Sequence, residues 1–363
     1  MTKTRSSDIV PVKKRVLFIC GSINQTRQLH KIAAQMPDIE ASFSPYYCDG
    51  LLEKFRRRGM LEWTILGSKM TNRCLAYLRT YDLDIDYQGS RGPYDLAVTC
   101  SDLIVPRNIR RTPTVLVQEG MTDPENLVYH IVHTFRFLPL WLASTSTTGL
   151  SGYYDRFCVA SEGYRDLFVR KGADPGKLVV TGLPNFDDCT SYLKNDFPLR
   201  HFVLVCTSDM RETFKFENRR RFIRKAVRIA NGRQIVFKLH PNENFTRAER
   251  EIRECAPGAL IYTSGIAEEM IANCDVLITR LSTTVYVVMA LGKECYSDFG
   301  MEELRTLTPV QNRSAARKIA EVCSHLMEGR PPVERVPALA RSRVTRGSVY
   351  RAIMAELFRG TGV

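Results

Sequence analysis

Three hydroxyl side chains in succession, Ser282, Thr283 and Thr284, stand between an apolar run, Val276-Leu277-Ile278, and a helical apolar pattern that stops at Gly292. Ser and Thr favour helix starts and Gly favours helix ends, so the spacing predicts strand, tight turn and helix over residues 275–293. Such a turn offers unpaired N–H groups and a partial positive charge, which suit a phosphate. Arg280 would add a charged donor. An ordinary strand–helix turn with a Ser/Thr cap has the same sequence. Two carboxylates follow strand-like runs elsewhere. Residues 94–99 lead into Cys100-Ser101-Asp102, and Thr114-Val115-Leu116-Val117 leads into Gln118-Glu119-Gly120. Residues just past parallel strands line the ligand crevice of an open α/β sheet. A carboxylate held there can act as a general base. A capping or turn role uses the same residue types, and Asp102 could fill one easily.

The elements that must position these groups alternate along the chain. Val16-Leu17-Phe18-Ile19-Cys20 reads as a buried strand, followed by Gly21-Ser22 and a helix over about 25–36. This turn is not GxGxxG and gives no dinucleotide fingerprint. Gly21 would allow close approach of substrate or backbone. Residues 51–79 read as helical and basic, with Arg56-Arg57-Arg58 as either a solvated face or a contact for an anionic acceptor or lipid headgroup. Residues 130–152 mix His130, His133, Phe137 and Trp141 with a polar loop. That segment reads either as a loop over the domain cleft or as a membrane-interface dock.

Strand, helix and strand follow at 155–161, 162–171 and 178–180, then a polar, Pro-containing hinge to about 199. A second series begins at 202–205. Its loop carries Asp209 and Arg211, a basic helix covers 216–230, and the strand 234–239 ends at Lys238 and His240-Pro241-Asn242. A strand at 260–262 and a helix capped by Ser264 precede the hydroxyl turn. The pattern predicts an α/β fold of two Rossmann-like domains with parallel sheets facing a cleft. The expected divisions are 1–195 for the acceptor and base, 196–335 for the nucleotide donor, and a C-terminal helix within 336–363 packing back on the first domain.

Composition narrows the classes. The 363 residues are 44% hydrophobic and 25% charged, a globular balance with room for two domains. A net charge of +13 and a pI near 9.3 favour anionic partners. The 11 cysteines lack CxxC pairs and read as reduced core thiols, and no Cys/His set has zinc-ligand spacing. Neither a cofactor nor a metal is expected. Residues 137–143 are far too short to span a bilayer, which takes roughly 17–25 residues. The reading is a cytoplasmic protein, peripheral on the inner face of the membrane where it meets lipid.

Three stretches carry a family resemblance: DRFCVASEGYRDLFVRKGADPGKLVVTGLPNFDD, KLHPN and CDVLITRLSTTVYVVMALGK. In order and spacing they resemble the GT-B glycosyltransferase superfamily. The nearest branch is that of UDP-N-acetylglucosamine 2-epimerases, capsule sugar transferases and CDP-glycerol glycerophosphotransferases. The resemblance covers about residues 15–325. It implies a nucleotide-activated donor held by Ser282, Thr283 and Thr284, with Lys238 and His240 nearby and Gly182 at the hinge. It gives weight to Asp102 and Glu119 as catalytic carboxylates. Two departures count against a standard epimerase. The family's histidine in a T-H-R-R-E element is replaced by Asp209, and its ribose-gripping acidic pair is replaced by Tyr286-Val287.

The function expected is a glycosyltransferase of the inverting type, using a nucleotide sugar to build a surface polysaccharide or glycolipid. Its partners would be the donor, a saccharide or lipid-linked acceptor and an anionic membrane surface, with no nucleic acid. The alternatives are an epimerase or sugar-nucleotide hydrolase, and a non-catalytic sugar-nucleotide-binding or membrane-docking subunit.

Overall fold

The computed structural model describes residues 13–62, 64–135, 137–212, 216–280 and 282–329. Six strands, β1 (Lys14–Cys20), β2 (Ile39–Pro45), β3 (Leu96–Thr99), β4 (Thr114–Val117), β5 (Arg156–Val159) and β6 (Leu178–Val180), form a parallel sheet in the order β2-β1-β3-β4-β5-β6. Five more, β7 (Val203–Cys206), β8 (Ile235–Lys238), β9 (Leu260–Tyr262), β10 (Val276–Ile278) and β11 (Glu294–Tyr296), form a second parallel sheet, ordered β11-β10-β7-β8-β9. Most of these strands are apolar throughout and buried, as parallel strands covered on both faces must be. Strand order reverses beside β1 in the first sheet and between β7 and β10 in the second. Those switch points open crevices at the carboxyl ends of the strands.

Helices α1 (Ile23–Ala33), α2 (Gly50–Arg57), α3 (Ser68–Thr80), α4 (Leu127–Thr134) and α5 (Glu162–Lys171) serve the first sheet. Helices α6 (Arg219–Ala230), α7 (Phe245–Cys255), α8 (Ala267–Asn273), α9 (Thr284–Ala290) and α10 (Met301–Leu307) serve the second. The last described helix, α11 (Ala315–Met327), returns to the first domain. There Ile319, Ala320 and Cys323 join Leu29, Ile32 and Val98 in one core. The expected helix at 336–363 lies outside the described residues.

Two local expectations need correction. The basic stretch 51–79 is two helices. Gly59, at φ +73°, takes a left-handed turn that ends α2, and α3 starts only after Gly67. Ser264 does not cap α8, which starts after Ile266 without a side-chain cap.

The domains share a continuous core. Tyr164, Phe168 and Phe186 of the first half pack with Val285, Tyr286 and Leu304 of the second. The Tyr164 and Tyr286 hydroxyls hydrogen-bond to each other, and Ser161 Oγ donates to the Thr306 carbonyl at 2.9 Å.

Candidate active site between the two sheets

Glu119 lies just past β4 and is held from β1 and α1. Ser22 Oγ donates to its Oε1 at 2.5 Å, and Gln25 Nε2 donates to its Oε2 at 2.6 Å. The local sequence explains the geometry. Ser22 is the N-cap of α1 and accepts from the Gln25 N–H at 3.2 Å, so one residue both starts the helix and fixes the carboxylate. Gln25, Gln28, Leu29 and Ile32 share the buried face of α1. Gln28 Nε2 donates to the Gln118 carbonyl at 2.8 Å, and Gln118 Nε2 donates to the Gly120 carbonyl at 2.7 Å. Glu119 is half-buried, and a carboxylate has about four acceptor positions, so capacity remains for another donor.

Gly21 has no room for a substrate. A Cβ there would lie 2.1 Å from Gln25 Oε1 and 2.4 Å from Ile65 Cδ1. Its smallness serves local packing.

Asp102 is placed differently from Glu119. It is buried, and it accepts the Gly149 N–H at 3.0 Å and the Ser151 N–H at 3.1 Å. Burial pushes its carboxyl pKa above the ordinary value, against the lowering effect of those N–H bonds. The arrangement is an anchor for the 149–151 loop.

Across the cleft, Ser282, Thr283 and Thr284 follow β10 at the second sheet's switch point, and all three are half-buried. Thr284 Oγ1 donates to Ser282 Oγ at 2.9 Å. Thr283 touches the Glu119 loop: a Cβ on Gly120 would lie 2.6 Å from Thr283 Cγ2. The loop of the base candidate and the hydroxyl turn therefore meet where strand ends of the two sheets face each other. Arg280 pairs with Asp298 at 2.8 Å, and Gly182, at φ +80°, packs against Val310, Asn312 and Ala315.

Lys238 ends β8 and is buried, which lowers its pKa, and its Nζ donates to the Leu239 carbonyl at 3.0 Å. His240 is half-buried, and burial lowers its pKa too. Its Nδ1 accepts the Asn242 N–H at 3.3 Å, so the ring is neutral with its proton on Nε2. The 3.6 Å approach of Asp209 to Nδ1 is then no ion pair. Asp209 instead accepts from Asn242 Nδ2 at 3.1 Å. Asn242 Oδ1 in turn accepts from Arg73 Nη1 of α3 at 3.1 Å, a further bridge between the domains.

Thr207, Glu217, Arg219 and Glu243, which motif reasoning passed over, hold this loop together with Arg211. Arg219 is buried with Glu217 at 2.8 Å and Glu243 at 2.6 Å. Thr207 Oγ1 donates to Glu243 and accepts the His240 N–H at 3.1 Å. Arg211 makes a bidentate pair with Glu251, both bonds at 2.9 Å. Buried pairs add little net stability, but breaking one leaves an uncompensated charge, so this network fixes the positions of the 207–212 and 238–243 loops. The only sequence signal was an unusually basic start to α6.

Tyr286 and Val287, at the positions where the resembling family has an acidic pair, are each 0% exposed. Neither can meet a ribose.

No protein-family model matches the chain, and no curated protein matches it in sequence. Solved structures do match in shape. MnaA of S. aureus, solved with UDP, has a TM-score of 0.54 at 10% identity, with 90% of this chain and 100% of that chain covered. The UDP-GlcNAc 2-epimerase of Methanocaldococcus jannaschii, solved with UDP-GlcNAc and UDP, gives 0.51 at 12% identity over 86% and 99%. The wall teichoic acid polymerase TagF gives 0.50 at 11% over 87% and 89%. With two parallel Rossmann-like sheets meeting at one crevice and these neighbours in shape, the chain has the GT-B fold.

Proposed function

We propose that this protein transfers a glycosyl group from a nucleotide-activated sugar to a hydroxyl acceptor, with Glu119 as the base. One observation carries the reading: Glu119, oriented by Ser22 and Gln25, abuts the hydroxyl turn of the opposite domain through the Gly120–Thr283 contact. The acceptor O–H would give its proton to a Glu119 carboxylate oxygen as the acceptor oxygen bonds to the sugar's anomeric carbon. The anomeric C–O bond to the diphosphate breaks on the opposite side, and its electron pair leaves with the phosphate oxygen. Ser282, Thr283 and Thr284 supply hydroxyl donors to that diphosphate, and the Nε2–H of neutral His240 supplies another. Lys238, at the carboxyl end of β8 in the same sheet, would add a cationic donor. Asp102 serves as a structural anchor.

The test is nucleotide release from a panel of UDP-, CDP-, CMP- and GDP-sugars, with and without saccharide and lipid-linked acceptors. Release is expected to need acceptor, and Glu119→Gln should lower kcat about 10²–10⁴-fold. Full activity in Glu119→Gln would remove the proposed base. The likeness in shape to an epimerase favours a second reading as an epimerase or sugar-nucleotide hydrolase. It predicts turnover without acceptor. Donor binding with no turnover under any condition would point to a non-catalytic subunit.

A further inference from the structure

A cavity of about 560 Å³ in the first domain has a lining that does not include Glu119. Its walls are mostly apolar, including Leu52, Val105, Leu138, Leu140, Trp141 and Leu150. It also contains acids and cations, and their partners differ. Asp49 pairs with Arg107 at 3.7 Å and accepts its backbone N–H at 2.5 Å. Asp102 is taken up by the Gly149 and Ser151 N–H groups. Arg110, in contrast, lies over the Tyr153 ring at 5.3 Å, donates from Nε to the Val105 carbonyl, and meets no carboxylate among the described residues. Buried Lys171 donates to the Ser146 carbonyl at 2.7 Å. The cavity is therefore apolar in most of its walls, with exposed Arg110 the lining cation that has no acidic partner among the described residues.

The chain flanking lining residues Leu138 to Trp141 is exposed and apolar. Phe137 is 82% exposed, and Phe135 lies 6.0 Å from it, ring to ring. Trp141, which lines the cavity, and Leu142 beside it in the chain are exposed as well. Single exposed apolar residues are ordinary, but a contiguous set beside a cavity marks a binding surface. An aromatic rim with nearby Arg and Lys matches the interfacial zone of an anionic bilayer.

We propose that this cavity takes the hydrocarbon chain of an anionic phospholipid, with the phosphate at Arg110 and the Phe135–Phe137–Trp141 rim in the interface. Charge selects the occupant. A neutral apolar partner would leave Arg110 without an anion, whereas a lipid phosphate supplies one. Asp102 lines the cavity and follows β3, the strand paired with the β4 that carries Glu119. If the transferase reading holds, a membrane-anchored acceptor would thus reach the same sheet edge as the base.

The chain has two tryptophans, so Trp63→Phe leaves Trp141 as the sole reporter. The full chain in that background is mixed with vesicles of chain-brominated phosphatidylglycerol or chain-brominated phosphatidylcholine. Trp141 emission should fall by at least half with the first and change little with the second. Arg110→Gln should weaken the apparent affinity threefold or more, and Leu140→Glu should abolish quenching. Phe137→Ser, at an exposed position that should not disturb folding, should reduce vesicle binding and guards against misfolding of Leu140→Glu. Absent quenching, equal quenching by both lipids, or an unaltered Arg110→Gln would overturn the proposal. So would shielding of Trp141 by concentration-dependent self-association or by an added protein, which would show a protein partner on this face. Nucleotide release with a soluble acceptor is read on the same samples, so loss of lipid binding and loss of transfer are scored separately.

Discussion

Two carboxylates just past neighbouring strands look alike in sequence and differ in what donates to them. Glu119 receives two side-chain donors and keeps acceptor capacity towards the crevice, whereas Asp102 is enclosed by backbone N–H groups. Asp102→Asn should therefore act on stability. It turns one acceptor oxygen into a donor facing N–H groups, at about 1–3 kcal/mol, read as a lower urea midpoint with kcat largely kept. A kcat loss equal to that of Glu119→Gln would reverse the assignment.

Lys171 gives a prediction in pH. Burial lowers its pKa from 10.5 to about 8, so between those values the unfolded chain holds a proton that the folded chain has released. Stability should rise with pH across that window, because the unfolded state binds more protons there. Lys171→Met should remove this part of the slope in Tm measured from pH 8 to 10.5; an unchanged slope would assign it to other groups. At this scale, the position of Glu119 past its strand was legible in the sequence. Gln25 and Gln28 were not, because glutamine on a helix reads as solvated until the helix is known to close over a strand end.

Among the elements, those with uniform apolar runs were the most legible. The strands at 114–117, 178–180, 260–262 and 276–278 and the helix at 162–171 have the bounds their sequences predict. The elements missed have weaker patterns. β2 reads IEASFSP and draws its burial from β1, β11 reads ECY with only Cys295 buried, and α11 is buried by a domain far away in sequence. Element packing also sets a test on α5. Gly163 is helical, where Ala is normally favoured by about 1 kcal/mol. Here a Cβ would lie 2.3 Å from the Thr306 carbonyl oxygen at the end of α10. Backbone cannot rotate away as a side chain can, so the clash should outweigh the propensity. Gly163→Ala should destabilise by about 1–3 kcal/mol in urea unfolding. A stabilised variant would show that α10 shifts freely against α5.

At the scale of the molecule, the crevice is set by how closely the two domains approach, and the Gly120–Thr283 contact is a direct gauge of that. Gly120 lies outside the left-handed region, so Gly120→Ala costs nothing in backbone strain and acts through its contact with Thr283 Cγ2. The variant should bind donor more weakly, and Thr283→Ser, which deletes that methyl, should restore much of the loss. Coupling in a double-mutant cycle of about 0.5–3 kcal/mol is expected for residues in contact. Strict additivity in donor titrations would show that the two sites do not touch in solution.

The return of α11 to the first sheet also bears on how the gene could be divided. A break between β6 and β7, near residue 195, would leave the leading fragment with a bare groove where Ile319, Ala320 and Cys323 belong. Neither fragment should be well behaved alone, yet the two made together should find each other, since the trailing piece carries the missing strut. Such split halves would offer a way to load isotopes or a chemical probe into one half of the protein at a time.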